Sequence, residues 1–199
     1  AAIAIVIVAG QTAPSGQQQT AAPQHKHYVA PPGYEQTPAP GQPLAPRLQN
    51  LGVHTFPVTT RSARAQLFIN QGVNLAYAFN HAEAARSFAE AARLDPDCAM
   101  AYWGHALVLG PNINATMTPE DEPKALELAQ KAVAQKAKAS PRERAYIDAL
   151  AARYTGRPED RPAANQAFAA AMRRVVAAYP ADTDARQVSR PAGGGDQQP

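Results

Sequence analysis

From Thr59 onward, apolar and small residues recur every three or four positions. Phe68, Gly72, Leu75 and Phe79 follow one another at steps of four, three and four, the spacing that sets side chains on one face of an α-helix. Thr59 or Thr60 is placed to cap the start of this helix, and Asn80 to end it. Asn80-His81-Ala82-Glu83 also has the layout of a capping box, an N-cap oxygen with a glutamate three residues on, so a second helix starts there. Its inward face carries Ala84, Phe88 and Ala91, and Pro96 after Leu94-Asp95 stops it. The pattern predicts two antiparallel helices joined by a very short turn.

The same alternation of helix and punctuation continues. Ala99 to Gly110 reads as a third helix, and the run Gly110 to Met117 as a loop. Thr118-Pro119-Glu120-Asp121 then starts a fourth, with an N-cap, a proline at N1 and carboxylates at the positive helix end. Ser140-Pro141-Arg142-Glu143 is a second capping box, and Tyr146, Leu150 and Tyr154 mark the helix behind it. Ala164, Phe168 and Ala171 repeat the spacing of Ala84, Phe88 and Ala91 before Pro180 ends that segment, and Asp182-Thr183-Asp184-Ala185 starts a last helix.

These positions carry a resemblance. With residue 65 as the first of a 34-residue unit, Phe68, Gly72, Leu75, Ala84, Phe88, Ala91 and Pro96 fall at positions 4, 8, 11, 20, 24, 27 and 32, and the unit resembles a tetratricopeptide repeat. Gln71 departs from the usual leucine at position 7, and in the second unit Ala106 stands in place of the glycine at 8. The stretch from Phe79 to Asn114 is similar to uncharacterised, often exported, bacterial proteins of this family. The resemblance implies an all-α, right-handed α-solenoid of about three antiparallel helix pairs over residues 58–185. It implies a scaffold that binds a protein or peptide partner on its concave face, and it carries no catalytic residues. No polar capping helix is visible at the end of the array, so a longer native solenoid is expected.

The flanks differ in composition. Residues 1–50 hold eight of the 19 prolines, eight glutamines and only three charged residues, Lys26, Glu35 and Arg47. With so little apolar periodicity, residues 11–57 are expected to be a disordered Pro/Gln-rich linker. Residues 1–10 open with nine uncharged apolar residues, too short to span a bilayer; they are read as the remnant of a secretory signal, which predicts export. Residues 186–199, with three consecutive glycines, are read as a disordered tail.

Charge narrows the function. The net charge is +3, but between Arg61 and Asp184 there are 15 Lys or Arg against 14 Asp or Glu, with the signs interspersed. A surface that tracks nucleic-acid phosphates needs a basic stripe, and none is present. The single cysteine, Cys98, excludes an internal disulfide and is read as a packing residue. His54, His81 and His105 lack the i, i+4 spacing of a helical zinc site, and His25-Lys26-His27 is too small a ligand set for a closed one. No phosphate loop or nucleophile elbow occurs, and Asn114-Ala115-Thr116 is a chance match to a glycosylation acceptor. The chain is therefore read as a non-enzyme without cofactor or metal. The alternative is a metal-binding or enzymatic domain completed by residues outside this chain.

The partner-binding residues expected on the groove are Ile69, Asn70, Val73 and Tyr77 from the first helix and Met100, Trp103 and Leu107 from the third, with Asn112 and Asn114 in the loop. Gln66 and Ala76 share that face. It is mainly apolar, unlike a lysine- and asparagine-lined carboxylate clamp. Such a face calls for an apolar ligand, for further repeats, or for the N-terminal linker as its cover.

Overall fold

A computed structural model describes residue 39, residues 41–112 and residues 114–190. The readings placed on residues 1–38, including the signal remnant and His25-Lys26-His27, and on the tail from 191 lie outside the described residues.

The described chain is all-helical. Its helices are α1 (Ala63–Tyr77), α2 (His81–Leu94), α3 (Ala99–Leu109), α4 (Asp121–Gln135), α5 (Pro141–Ala151), α6 (Arg161–Ala178) and α7 (Thr183–Val188). Each packs on its neighbour in sequence, and α3 also touches α1 and α5, so these three line up side by side. None is long and apolar enough to cross a membrane.

Local chemistry sets the helix ends. Ser62, not Thr59 or Thr60, caps α1, its hydroxyl accepting from the Ala65 amide at 3.1 Å. Both threonines are taken by carboxylates farther along the chain, Thr59 by Glu143 and Thr60 by Asp95. Asn80 caps α2 by accepting from the Glu83 amide, while its own N–H closes the preceding turn on Leu75 O at 2.9 Å. Ser140 and Glu143 form a complete capping box with Pro141 at N1. α4 begins at Asp121, two residues later than Pro119 suggests, and the Thr118 hydroxyl accepts from the Asp121 amide.

Phe79 departs from the expected face. It lies past the end of α1 with φ of 59° and is half exposed. Its amide donates to Ala76 O and the Asn80 amide to Leu75 O, the paired bonds of a Schellman turn, in which this position is ordinarily glycine.

The helix pairs meet at small residues. The Phe88 ring lies between Gly72 of α1 and Gly104 of α3, where an added methyl carbon would stand 2.8 Å and 2.3 Å from it. Gly72 thus makes room for the ring within the first pair, and Gly104 makes room for it where α2 meets α3. Burial pushes the Cys98 thiol up to about 11, in keeping with a packing residue.

Residues 41–57, assigned by composition to a disordered linker, carry no helix or strand, yet Ala45 and Phe56 are each 2% exposed within the core. Proline content excluded a helix there, but helix side chains bind this stretch through its main chain. Glu90 accepts from the Leu44 amide at 2.8 Å, and Gln71 accepts from the Leu48 amide at 2.9 Å while donating to Pro46 O. The glutamine that departs from the repeat pattern is thus a buried clamp. At the other end, residues 186–188, read as tail, complete α7.

Candidate functional site

The face shared by α1, α3 and α5 carries the segment 54–60. On α1, Gln66, Asn70 and Asn74 stand at steps of four and so form one stripe. Gln66 accepts from the Val58 amide at 3.0 Å and donates to Phe56 O at 2.9 Å. Asn70 accepts from the Phe56 amide at 3.0 Å, and Asn74 donates to His54 O at 3.0 Å. Gln66 also donates to Asn70 Oδ1, which fixes both amides. Alternate residues of an extended chain, His54, Phe56 and Val58, are therefore held through main-chain atoms.

Between these bonds the Phe56 side chain enters an aromatic pocket. Its ring lies nearly parallel to the Trp103 indole of α3, at 5.8 Å and 12°, and edge-on to Tyr146 of α5, at 5.9 Å and 79°. Trp103 and Tyr146 meet edge to face at 5.4 Å. The Arg142 guanidinium lies 4.8 Å from the Phe56 centroid and donates to Asp182 at 2.7 Å. Such geometries add to the area term of aromatic burial. Among the described residues the Trp103 indole N–H has no acceptor.

Carboxylates anchor both ends of the segment. Glu143 accepts from the Thr59 amide and hydroxyl, each at 2.6 Å, and from the Ser140 amide at 2.7 Å. Burial by itself would raise this carboxyl, but these hydrogen bonds outweigh it and hold the group below the ordinary carboxylate range. Asp182 behaves likewise: burial is outweighed by Arg142, the Ala185 amide and Tyr146. Asp184 accepts from Tyr77 at 2.7 Å and lies 2.9 Å from His54 Nε2. The start of α7 thus faces α1 across the segment.

The sequence-predicted residues divide accordingly. Asn70 binds the segment directly and Trp103 receives Phe56. Ile69, Val73, Met100 and Trp103 are buried, so they are not the open apolar surface that the helical pattern suggests. Tyr77 is bonded to Asp184, and Leu107 is half-buried at a separate cavity. Asn112 shapes its own loop by accepting from the Asn114 and Ala115 amides, and Asn114 is exposed. Asn74, Tyr146, Arg142 and Glu143 were not foreseen as ligands of the segment. The polar stripe at 66, 70 and 74 was a visible signal for the first of them.

The histidines lie in separate surroundings. His54 meets Asp184, and His81 Nδ1 lies 3.1 Å from Val108 O, an acceptor to which it must donate. His105 is half-buried, and burial lowers its pKa to about 4. Among the described residues no three His, Cys, Asp or Glu side chains are grouped as a metal site. Comparison with protein-family models, curated proteins and solved structures finds no match to this chain.

Proposed function

We propose that this chain is a tetratricopeptide-like helical scaffold that binds an extended peptide of a protein partner across α1, α3 and α5, with residues 54–60 as the groove's intramolecular occupant. One observation carries the reading: Gln66, Asn70 and Asn74 bind the segment through its main chain. Main-chain ligation accepts many sequences, while the Trp103 and Tyr146 pocket selects one aromatic or large apolar anchor. The free indole N–H of Trp103 leaves room for a better occupant, because a partner offering an acceptor there would satisfy a buried donor that Phe56 does not.

In this reading the solenoid is right-handed and built of helix pairs, α1 with α2, α3 with α4 and α5 with α6. The apolar residues 1–9 support export of the protein. The test is binding of a fluorescently labelled peptide of residues 51–61 to the full chain. Phe56→Ala, which empties the pocket, is expected to bind the peptide at least about tenfold more tightly than the wild-type chain, whose own segment competes. Equal, weak binding by both would count against a groove that accepts peptides.

A further inference from the structure

A second concavity lies apart from the groove, between the ends of α1 and α3, the α5–α6 connection and α7. It encloses about 400 Å³, within the size range of small-molecule sites. Its lining includes Arg153, Arg190 and His81, and no described lining residue is a carboxylate. Phe79, Leu107, Phe168 and Val188 supply apolar walls.

Arg153 is the unusual member. It is only 4% exposed, and its guanidinium donates to two neutral acceptors, Asn165 Oδ1 at 3.2 Å and Pro111 O at 2.8 Å, while lying 4.7 Å from the Phe168 centroid. Three poorly exposed carboxylates of the fold do hold an arginine: Glu90 holds Arg93, Asp182 holds Arg142 and Glu122 holds Arg161. Arg153 has no carboxylate within ion-pair distance among the described residues. Asp184, behind Tyr77, is occupied by Tyr77 and His54. Burial pushes the Arg153 pKa down, the mark of a cation without its counter-charge. Buried arginine is ordinarily paired, and its planar fork suits carboxylates.

Phe79 adds an independent sign. A bulky side chain at positive φ carries a backbone cost that glycine would avoid, and what Phe79 provides there is an aromatic wall stacked on His81 at 6.3 Å. We propose that this cavity binds a small amphipathic carboxylate, its anionic head at Arg153 and its apolar body against Phe79, Leu107, Phe168 and Val188. Arg190, exposed at the rim, adds a second positive charge toward the entering anion.

The test is calorimetric titration of the full chain with octanoate and, separately, with 1-octanol, which shares the tail but not the charge. The wild-type chain is expected to bind octanoate with one-to-one stoichiometry and at least about tenfold more tightly than octanol. Arg153→Met keeps the bulk and removes the charge, and should bring the two ligands within about twofold of each other. Val188→Trp, which leaves Arg153 in place and fills the cavity, should abolish both titrations; it keeps the test decisive if Arg153→Met fails to fold. Equal affinity for octanoate and octanol in the wild-type chain, no octanoate binding at millimolar concentration, or undiminished binding by Val188→Trp would each overturn the proposal.

Discussion

The Phe56 ring lies over the Trp103 indole with 5.8 Å between centroids and 12° between planes. This contact joins an irregular segment to the middle of the helical array. Both rings are 2% exposed, so the apolar face of α3 is covered by the chain's own residue.

Truncating that ring removes a large buried group whose space the surrounding helices only partly refill. Phe56→Ala is expected to lower stability by about 3 kcal/mol while leaving the helical circular dichroism signal in place. Urea denaturation followed at 222 nm measures it. A loss below about 0.5 kcal/mol would mean that the segment does not pack on the helices.

Asn70 accepts the Phe56 amide, and replacing it with alanine leaves a buried donor without its partner. The expected loss is about 1–2 kcal/mol. Amide hydrogen exchange gives the local readout: protection of the Phe56 amide should fall in Asn70→Ala while amides of α5 and α6 keep theirs.

At Gly104 the ring of Phe88 leaves no space for a side chain. Gly104→Ala gains helix propensity but forces the ring against α1, and overpacking of this kind costs about 1–3 kcal/mol. Thermal melting should show a lower midpoint. A higher one would place Phe88 elsewhere.

Acid acts on His105 and on lowered carboxylates such as Glu143 and Asp182 in different pH windows. His105 has a folded pKa of about 4, below the ordinary 6.5, so the unfolded chain takes up the proton first. Its contribution is complete above pH 6.5 and is lost as pH falls toward 4, at ~1.4 kcal/mol per unit of pKa displacement. Glu143 is also lowered, and its contribution is present above the ordinary carboxylate pKa and lost as pH falls below it. Denaturant midpoints between pH 7 and 3 should therefore decline in two stages, and His105→Gln should flatten the first.

The helices were legible because their signals are local. Phe68, Gly72, Leu75, Ala84, Phe88 and Ala91 declare their faces at spacings of three and four, and Ser140 with Glu143 declares a helix start within four residues. The covering of the groove was less legible. Phe56 is a lone aromatic in a proline-rich stretch, and its partners Trp103 and Tyr146 lie far along the chain, so composition weighed more than one anchor. Gln66, Asn70 and Asn74 formed a readable stripe, but a stripe of amides does not say which chain it binds. Arg153 reads in sequence like any arginine on a helical surface; its burial depends on Phe168 and Pro111, which only the tertiary fold brings to it.

Trp103 is the only tryptophan in the chain, which makes its emission a direct report on the groove. Acrylamide quenching of the full chain is expected to be weak in the wild type and at least about threefold stronger in Phe56→Ala, then to return toward the wild-type value when the peptide of residues 51–61 is added. Strong quenching in the wild type, or weak quenching in Phe56→Ala without peptide, would contradict a groove covered by its own segment.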